Sequence, residues 1–421
     1  MEQESIISWK MLFVVFLIAA IAISPRFSVG DLANGRSIDL RYEDFIFIIM
    51  LVYWSIGIFL WKEKVYYTSL LKPILIYVIF ALVSTALGIF QGRINNVNAF
   101  FFILKEIEYF LMFLLTANFV GDLRSLKVIV YSLNIFAMAN GFFGIFQFLK
   151  NRFQDIATID MGSIGEPSRF LSGGYFAIGA IFSLVSMVFL KEKKIKIFSF
   201  FSCLVCTVAL IGSGSRSNTG GLILSFIILL FFLLKDFLNK KKNFGLKIKP
   251  AIICTILIAI AIFFVTKLPS IWRFTNLEYM KTSFSELRVE TIYKPLLEIF
   301  KKSPLIGLGK TACSIVIPGT GEAHNYYLRI LIEMGIVGLC VFLYLVFCIL
   351  KYSWGLTKSD NDLIKTVGFA GFLVCIQFLF ASLTQDAFLP VKINETFWII
   401  IGLVAASSYF NKKESYTNIQ K

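Results

Sequence analysis

Apolar stretches long enough to cross a bilayer recur along the whole chain, and this recurrence limits the fold more than any other feature. Windows of about 17 to 25 apolar residues predict helices near 9–24, 45–61, 73–90, 99–119, 126–149 and 171–190, then 195–212, 218–234, 250–267, 326–350, 364–383 and 393–410. Backbone groups surrounded by lipid must pair within their own segment, so an all-α polytopic membrane protein of about twelve transmembrane helices follows. Of the 421 residues, 57% are hydrophobic and 16% charged, whereas an average soluble domain carries about a quarter charged residues. The chain therefore reads as a single integral membrane domain, 1–421, with no soluble module large enough to fold separately. The first apolar run follows Glu2 and Glu4 and contains Lys10, unlike the basic start of a secretory signal, so it reads as an uncleaved helix.

The connections fall into two sets. One is rich in lysine: the turn from Trp61 to Lys64, Lys191 to Lys196, Lys235 to Lys249, Lys351 to Lys365, and the tail from Asn411, with Arg124 its only arginine. Positive residues mark the cytoplasmic side, which places both termini there. The net charge of +15 resides mostly in these lysines. It implies contact with anionic lipid in the bilayer, not with nucleic acid. The other set carries Arg26, Arg36, Arg41, Arg93, Arg152, Arg169 and Arg216. A topological signal needs only charge, whereas guanidinium adds a planar fork of donors that grips phosphate. For Arg26, Arg36 and Arg41 the preferred reading is snorkelling to lipid headgroups.

The longest outer loop, 268–325, lies between the ninth and tenth helices. Ser283 and Glu286 have capping-box spacing. Val289, Ile292, Tyr293, Leu296 and Phe300 then recur at helical spacing. That amphipathic helix most simply lies apolar side down on the membrane, with Pro295 kinking or shortening it. The loop ends in His324-Asn325-Tyr326-Tyr327-Leu328, with the only histidine of the chain. Histidine titrates near neutrality and suits proton transfer, but from composition alone His324 reads as an ordinary residue ahead of a helix. The turn from Ile211 to Gly221 contains Ser215 and Arg216 among glycines. An anion-binding helix start and a tight glycine hairpin are equally good readings of it.

Lys105, Glu106 and Glu108, and likewise Arg329 and Glu333, lie inside spans, where charges face a polar cavity or one another. Lys105 with Glu108 and Arg329 with Glu333 have same-face spacing, so structural pairing is preferred to direct catalysis. Six of the seven cysteines lie in apolar runs, and only Cys313 falls in a polar loop. That gives no disulfide framework, and Cys203 with Cys206 read as small residues packed between helices. No metal-ligand cluster or carboxylate pair stands out on the outer surface.

The stretch from Arg288 to Gly338 resembles the core motif of the O-antigen ligase and O-antigen polymerase superfamily. The residues that carry the likeness are Arg288, Lys302-Ser-Pro-Leu-Ile-Gly307-Leu-Gly309, and His324-Asn325-Tyr-Tyr-Leu-Arg-Ile-Leu-Ile-Glu333-Met-Gly335-Ile-Val-Gly338. Ser215-Arg216-Ser217 resembles the family's serine–arginine turn, and Arg169 a further arginine before the sixth helix. Tyr293 departs from the pattern, near a position where tryptophan is common.

The resemblance implies a metal-independent, cofactor-free glycosyltransferase of the membrane-embedded GT-C type in a bacterial cytoplasmic (inner) membrane. Its donor would be a glycan on undecaprenyl diphosphate, and its acceptor a hydroxyl of another glycan or lipid-linked molecule on the outer side. Arg216, Arg288 and Arg169 would hold the diphosphate, His324 would take the acceptor proton, and Ser215, Asn325 and Glu333 would support them. The motif serves both a polymerase of repeat units, in O-antigen or a related surface polysaccharide, and a ligase that moves the finished chain to lipid A core. Polymerase is preferred because nothing specifies a lipid A core acceptor. The resemblance also leaves room for contact with other polysaccharide-assembly proteins. A twelve-helix transporter or a glycan flippase is the rival, disfavoured because the two halves share no motif and neither needs an outer arginine–histidine set.

Overall fold

The computed structural model describes residues 8–23, 27–31, 37–150, 169–239, 276, 278, 281–282, 285–317 and 322–419. Helices α1 (Trp9–Ile23) and α2 (Tyr42–Phe59) flank a small hairpin of strands β1 (Phe27–Asp31) and β2 (Ser37–Leu40). Then follow α3 (Leu71–Phe90), α4 (Asn96–Phe119), α5 (Leu123–Lys150), α6 (Arg169–Phe189), α7 (Lys193–Gly212) and α8 (Arg216–Asn239). A π-helical stretch, Ser285–Tyr293, runs into α9 (Lys294–Phe300), and α10 (Cys313–Val316) is a single turn. The chain closes with α11 (Tyr326–Leu356), α12 (Asp362–Ser382) and α13 (Val391–Ile419).

Among the described residues nine helices are long and apolar enough to cross a membrane: α2, α3, α5 to α8, and α11 to α13. Helix α1 is shorter, and α4 carries Lys105, Glu106 and Glu108 within its run. Eleven of the twelve expected spans are thus helices, and 250–267 lies outside the described residues. The protein is a multi-pass membrane protein. The all-α expectation is corrected by the hairpin, whose antiparallel register pairs Phe27 with Leu40 and Asp31 with Ser37.

Burial sorts the spans into layers. The apolar window of α6 is entirely buried and that of α13 nearly so, whereas only 22% of α2 is covered. A helix apolar all round belongs in the interior, and α6 accordingly packs on α5, α7, α8, α12 and α13. Polar side chains inside that core bond to one another: the Ser183 hydroxyl donates to Asn134 Oδ1 at 2.7 Å and lies 2.8 Å from Ser202 Oγ. Cys203 and Cys206 are buried packing residues, as their sequence setting implies. On α2, by contrast, Phe45, Ile48, Ile49 and Val52 are exposed and form its lipid-facing side.

Four expectations need correction. Arg41 does not reach out to headgroups: it is buried, 3.7 Å from the buried Glu43. Arg26 and Arg36 lie outside the described residues. The amphipathic stripe of α9 packs on protein, because Leu296 is fully buried with Ile94, Ala99, Leu308 and Ile332 while Ile292, Ile299 and Phe300 pack around them. Pro295 stands in the first turn of α9, where the π-helical stretch gives way to α-helix; Ser283 of the capping box lies outside the described residues. Cys313, expected in a polar loop, is buried in the same small core because the loop folds inward.

Candidate active site

The site is built on a broken helix. Nine residues into α11, about 14 Å along its axis, Gly335 adopts φ 69° and ψ −171°, which interrupts the helical ladder. Backbone groups freed at membrane depth need partners within the protein, and the segment from Pro304 to Gly309 supplies them. The amides of Leu308 and Gly309 donate to the carbonyls of Ile332 (3.0 Å) and Glu333 (2.8 Å). Beyond the break, the amides of Ile336 and Val337 donate to the carbonyls of Pro304 (2.9 Å) and Leu305 (3.2 Å).

Glycine is what lets these two backbones touch. A Cβ on Gly335 would lie 2.3 Å from the Leu305 carbonyl oxygen, and one on Gly307 would lie 2.4 Å from the Met334 nitrogen. From α3, the Ser84 hydroxyl shares its proton between the carbonyls of Ile306 (2.8 Å) and Glu333 (2.7 Å). The proline–glycine and glutamate–glycine elements of the sequence motif are therefore two faces of one joint.

A line of buried charges runs beside that joint. Lys310 Nζ donates to Glu106 Oε1 at 2.7 Å and to the Tyr77 hydroxyl at 3.2 Å, with Glu333 Oε2 at 3.8 Å. Glu333 Oε1 accepts the Thr311 amide (3.1 Å) and pairs with Arg329 Nε at 3.2 Å. Arg329 Nη1 donates to Asp386 Oδ2 at 3.0 Å, and the same oxygen accepts the Ala323 amide at 2.9 Å. Arg329, Glu333, Lys310 and Asp386 are all buried, so each charge depends on its neighbour. The near end of this line borders a cleft lined by Tyr77, Glu106, Tyr326, Phe342, Asn394 and Trp398.

His324 follows Ala323 directly and is held by its backbone. Its φ of +50° is left-handed, an uncommon conformation for a side chain other than glycine. Asn325 then caps α11, its Oδ1 accepting the Leu328 amide at 3.0 Å, while its Nδ2 donates to the Leu383 carbonyl at the end of α12 (3.2 Å). The Tyr293 hydroxyl donates to the His324 carbonyl at 3.3 Å. The imidazole itself is 35% exposed, with Nδ1 3.7 Å from Glu322. A rigid main chain thus presents a solvent-accessible ring able to take a proton.

Arg288, half-buried in the π-helical stretch, lies close enough to Tyr293 for its charge to act on the phenol. Burial raises that phenol above its ordinary value, and the Arg288 guanidinium opposes the shift. Tyr293 thus links the two segments, feeling the Arg288 charge and holding the His324 carbonyl.

The serine–arginine turn reaches the same end of the bundle by another route. Gly214, at φ +66°, turns the chain from α7 into α8. Ser215 is buried, its hydroxyl accepting from Asn218 Nδ2 at 2.8 Å, and Gln377 Nε2 on α12 donates to Asn218 Oδ1 at 2.7 Å. Ser215 therefore builds the turn and ties it to α12, with the half-exposed Arg216 beside it. Arg169 begins α6, and its side chain lies outside the described residues.

Reading the sequence missed Asp386 and Lys310. Asp386 stands in the polar connector Thr384-Gln385-Asp386 between two spans, a placement that marks it for attention. Also missed was a carboxylate cluster: oxygens of Asp44, Glu108 and Glu395 lie within 4.8 Å of one another. The expected pairing of Lys105 with Glu108 is present at 2.8 Å.

The geometry is that of a helical membrane bundle with Arg216 and His324 at one end. Residues 201–343 match the family model described as O-antigen ligase. The matched segment, about a third of the chain, holds Arg216, Arg288, His324 and Glu333 and is similar to that family. No curated protein matches the chain.

Proposed function

We propose that this membrane glycosyltransferase extends a lipid-diphosphate-linked glycan at the outer face of the cytoplasmic membrane, joining repeat units of O-antigen or a related surface polysaccharide. In this reading His324 accepts the proton of the acceptor hydroxyl, whose oxygen attacks the anomeric carbon in line with the departing diphosphate. The glycosidic bond forms as the bond to the leaving oxygen breaks and its electron pair stays on the phosphate. Arg288 and Arg216 stabilise the charge that develops there, where fixed guanidinium groups are most effective. Asn325 and Glu333 hold the head of α11 that presents the imidazole.

One observation supports the reading: the Tyr293 hydroxyl donates to the His324 carbonyl, and the Arg288 charge acts on that same phenol. A strain lacking the protein tests it, with its glycans analysed by gel and mass spectrometry. Single repeat units on the normal acceptor are the expected result. Full chains stranded on the lipid diphosphate would assign ligation instead, and an unchanged glycan profile would overturn both.

A further inference from the structure

Away from that site, α2, α4 and α13 meet around a second polar cluster. Lys105 Nζ sits 2.8 Å from Asp44 Oδ1, 2.8 Å from Glu108 Oε1 and 3.2 Å from Glu395 Oε1. Arg41 and Glu43 adjoin it, both buried. Among the described residues, Asp44, Glu108 and Glu395 set three carboxylates around the one ammonium of Lys105, an excess of two negative charges in a largely buried place. Such an excess is costly unless a counter-charge joins it.

Two further facts point to what joins it. Glu395 is 0% exposed, and among the described residues nothing donates to its Oε2. That carboxylate turns an oxygen into the cluster, where one oxygen each from Glu395, Asp44 and Glu108 lie within 4.8 Å of one another. A hard cation with oxygen bonds of about 2.3–2.6 Å spans that separation.

We propose that Asp44, Glu108 and Glu395 form a binding site for a hard divalent cation of the Ca²⁺ or Mg²⁺ class, in competition with the Lys105 ammonium. The ammonium marks the position where all three carboxylates converge, and its side chain, 25% exposed, has room to withdraw. With Lys105 kept nearby, a divalent ion brings the cluster to neutrality. The site also has a mechanical role. Only 22% of the α2 window is covered by protein, so its polar tie to α4 and α13 through Asp44 fixes how the hairpin end of α2 sits.

The test uses the full-length protein in detergent, titrated separately with Ca²⁺ and Mg²⁺ by calorimetry and followed by thermal unfolding. Binding of one ion per chain is expected, with a rise in midpoint of about 3 °C at saturation. Glu395→Gln should abolish both signals. Lys105→Met, which removes the competing ammonium, should tighten binding at least tenfold. Absence of binding of either ion to the unaltered protein would overturn the proposal and assign the excess charge to bound protons. Binding that survives Glu395→Gln, or that Lys105→Met leaves unchanged, would overturn it as well.

Discussion

Asp386 Oδ2 accepts the Ala323 amide at 2.9 Å, so a residue between the last two helices fixes the backbone just before the only histidine. The same oxygen holds Arg329 at 3.0 Å, and the other carboxylate oxygen is buried without a donor among the described residues. Asp386→Asn should therefore lower stability by about 1–3 kcal/mol and reduce glycan output more than that loss explains. Thermal unfolding beside a glycan assay at matched protein level checks both halves.

His324→Ala and Arg288→Ala should each leave the protein in the membrane while surface glycan disappears. Removing a general base costs about 10²–10⁴-fold in rate, and removing one charge-stabilising donor about 10²–10³-fold. Full-length glycan from both variants would remove the catalytic assignment.

Gly335→Ala places a Cβ 2.3 Å from the Leu305 carbonyl oxygen in a backbone region that essentially only glycine adopts. The expected penalty is on the order of 3 kcal/mol, seen as poor accumulation in membranes. Gly92→Ala serves as a contrast: it shares a positive φ of 64° but has nothing within 4 Å, so only the backbone term remains.

Lys310→Met removes a buried cation from between Glu106 and Glu333 and should destabilise the protein by about 3–5 kcal/mol. Adding Glu106→Gln should recover part of that loss, because the uncompensated carboxylate is then gone. A double-mutant cycle on unfolding midpoints measures the recovery, and strict additivity would show that the pair is not coupled.

The spans were legible because length and hydropathy alone define them; the described helices begin within a few residues of the apolar runs, while α11 and α13 extend past theirs to Leu356 and Ile419. Short polar strands around Gly30 carry no comparable signal, which is why the hairpin went unread. Apolar spacing of three and four residues does not separate the π-helical turn over Ser285–Tyr293 from ordinary helix.

At the site, His324 and Arg288 stood out through family resemblance, not through composition. The charges around them were harder to see. Asp386 meets Ala323 across 63 positions of sequence, and Lys310 finds Glu106 across 204. Pairings of that kind are made by the tertiary fold, and no local spacing announces them.

The interruption at Gly335 divides α11 into two pieces that share one anchor. The backbone at 304–309 holds Ile332 and Glu333 before the break and Ile336 and Val337 after it. The bend is therefore clamped from both sides, and the direction in which the helix enters the membrane is set by a loop outside it rather than by its own ladder of hydrogen bonds.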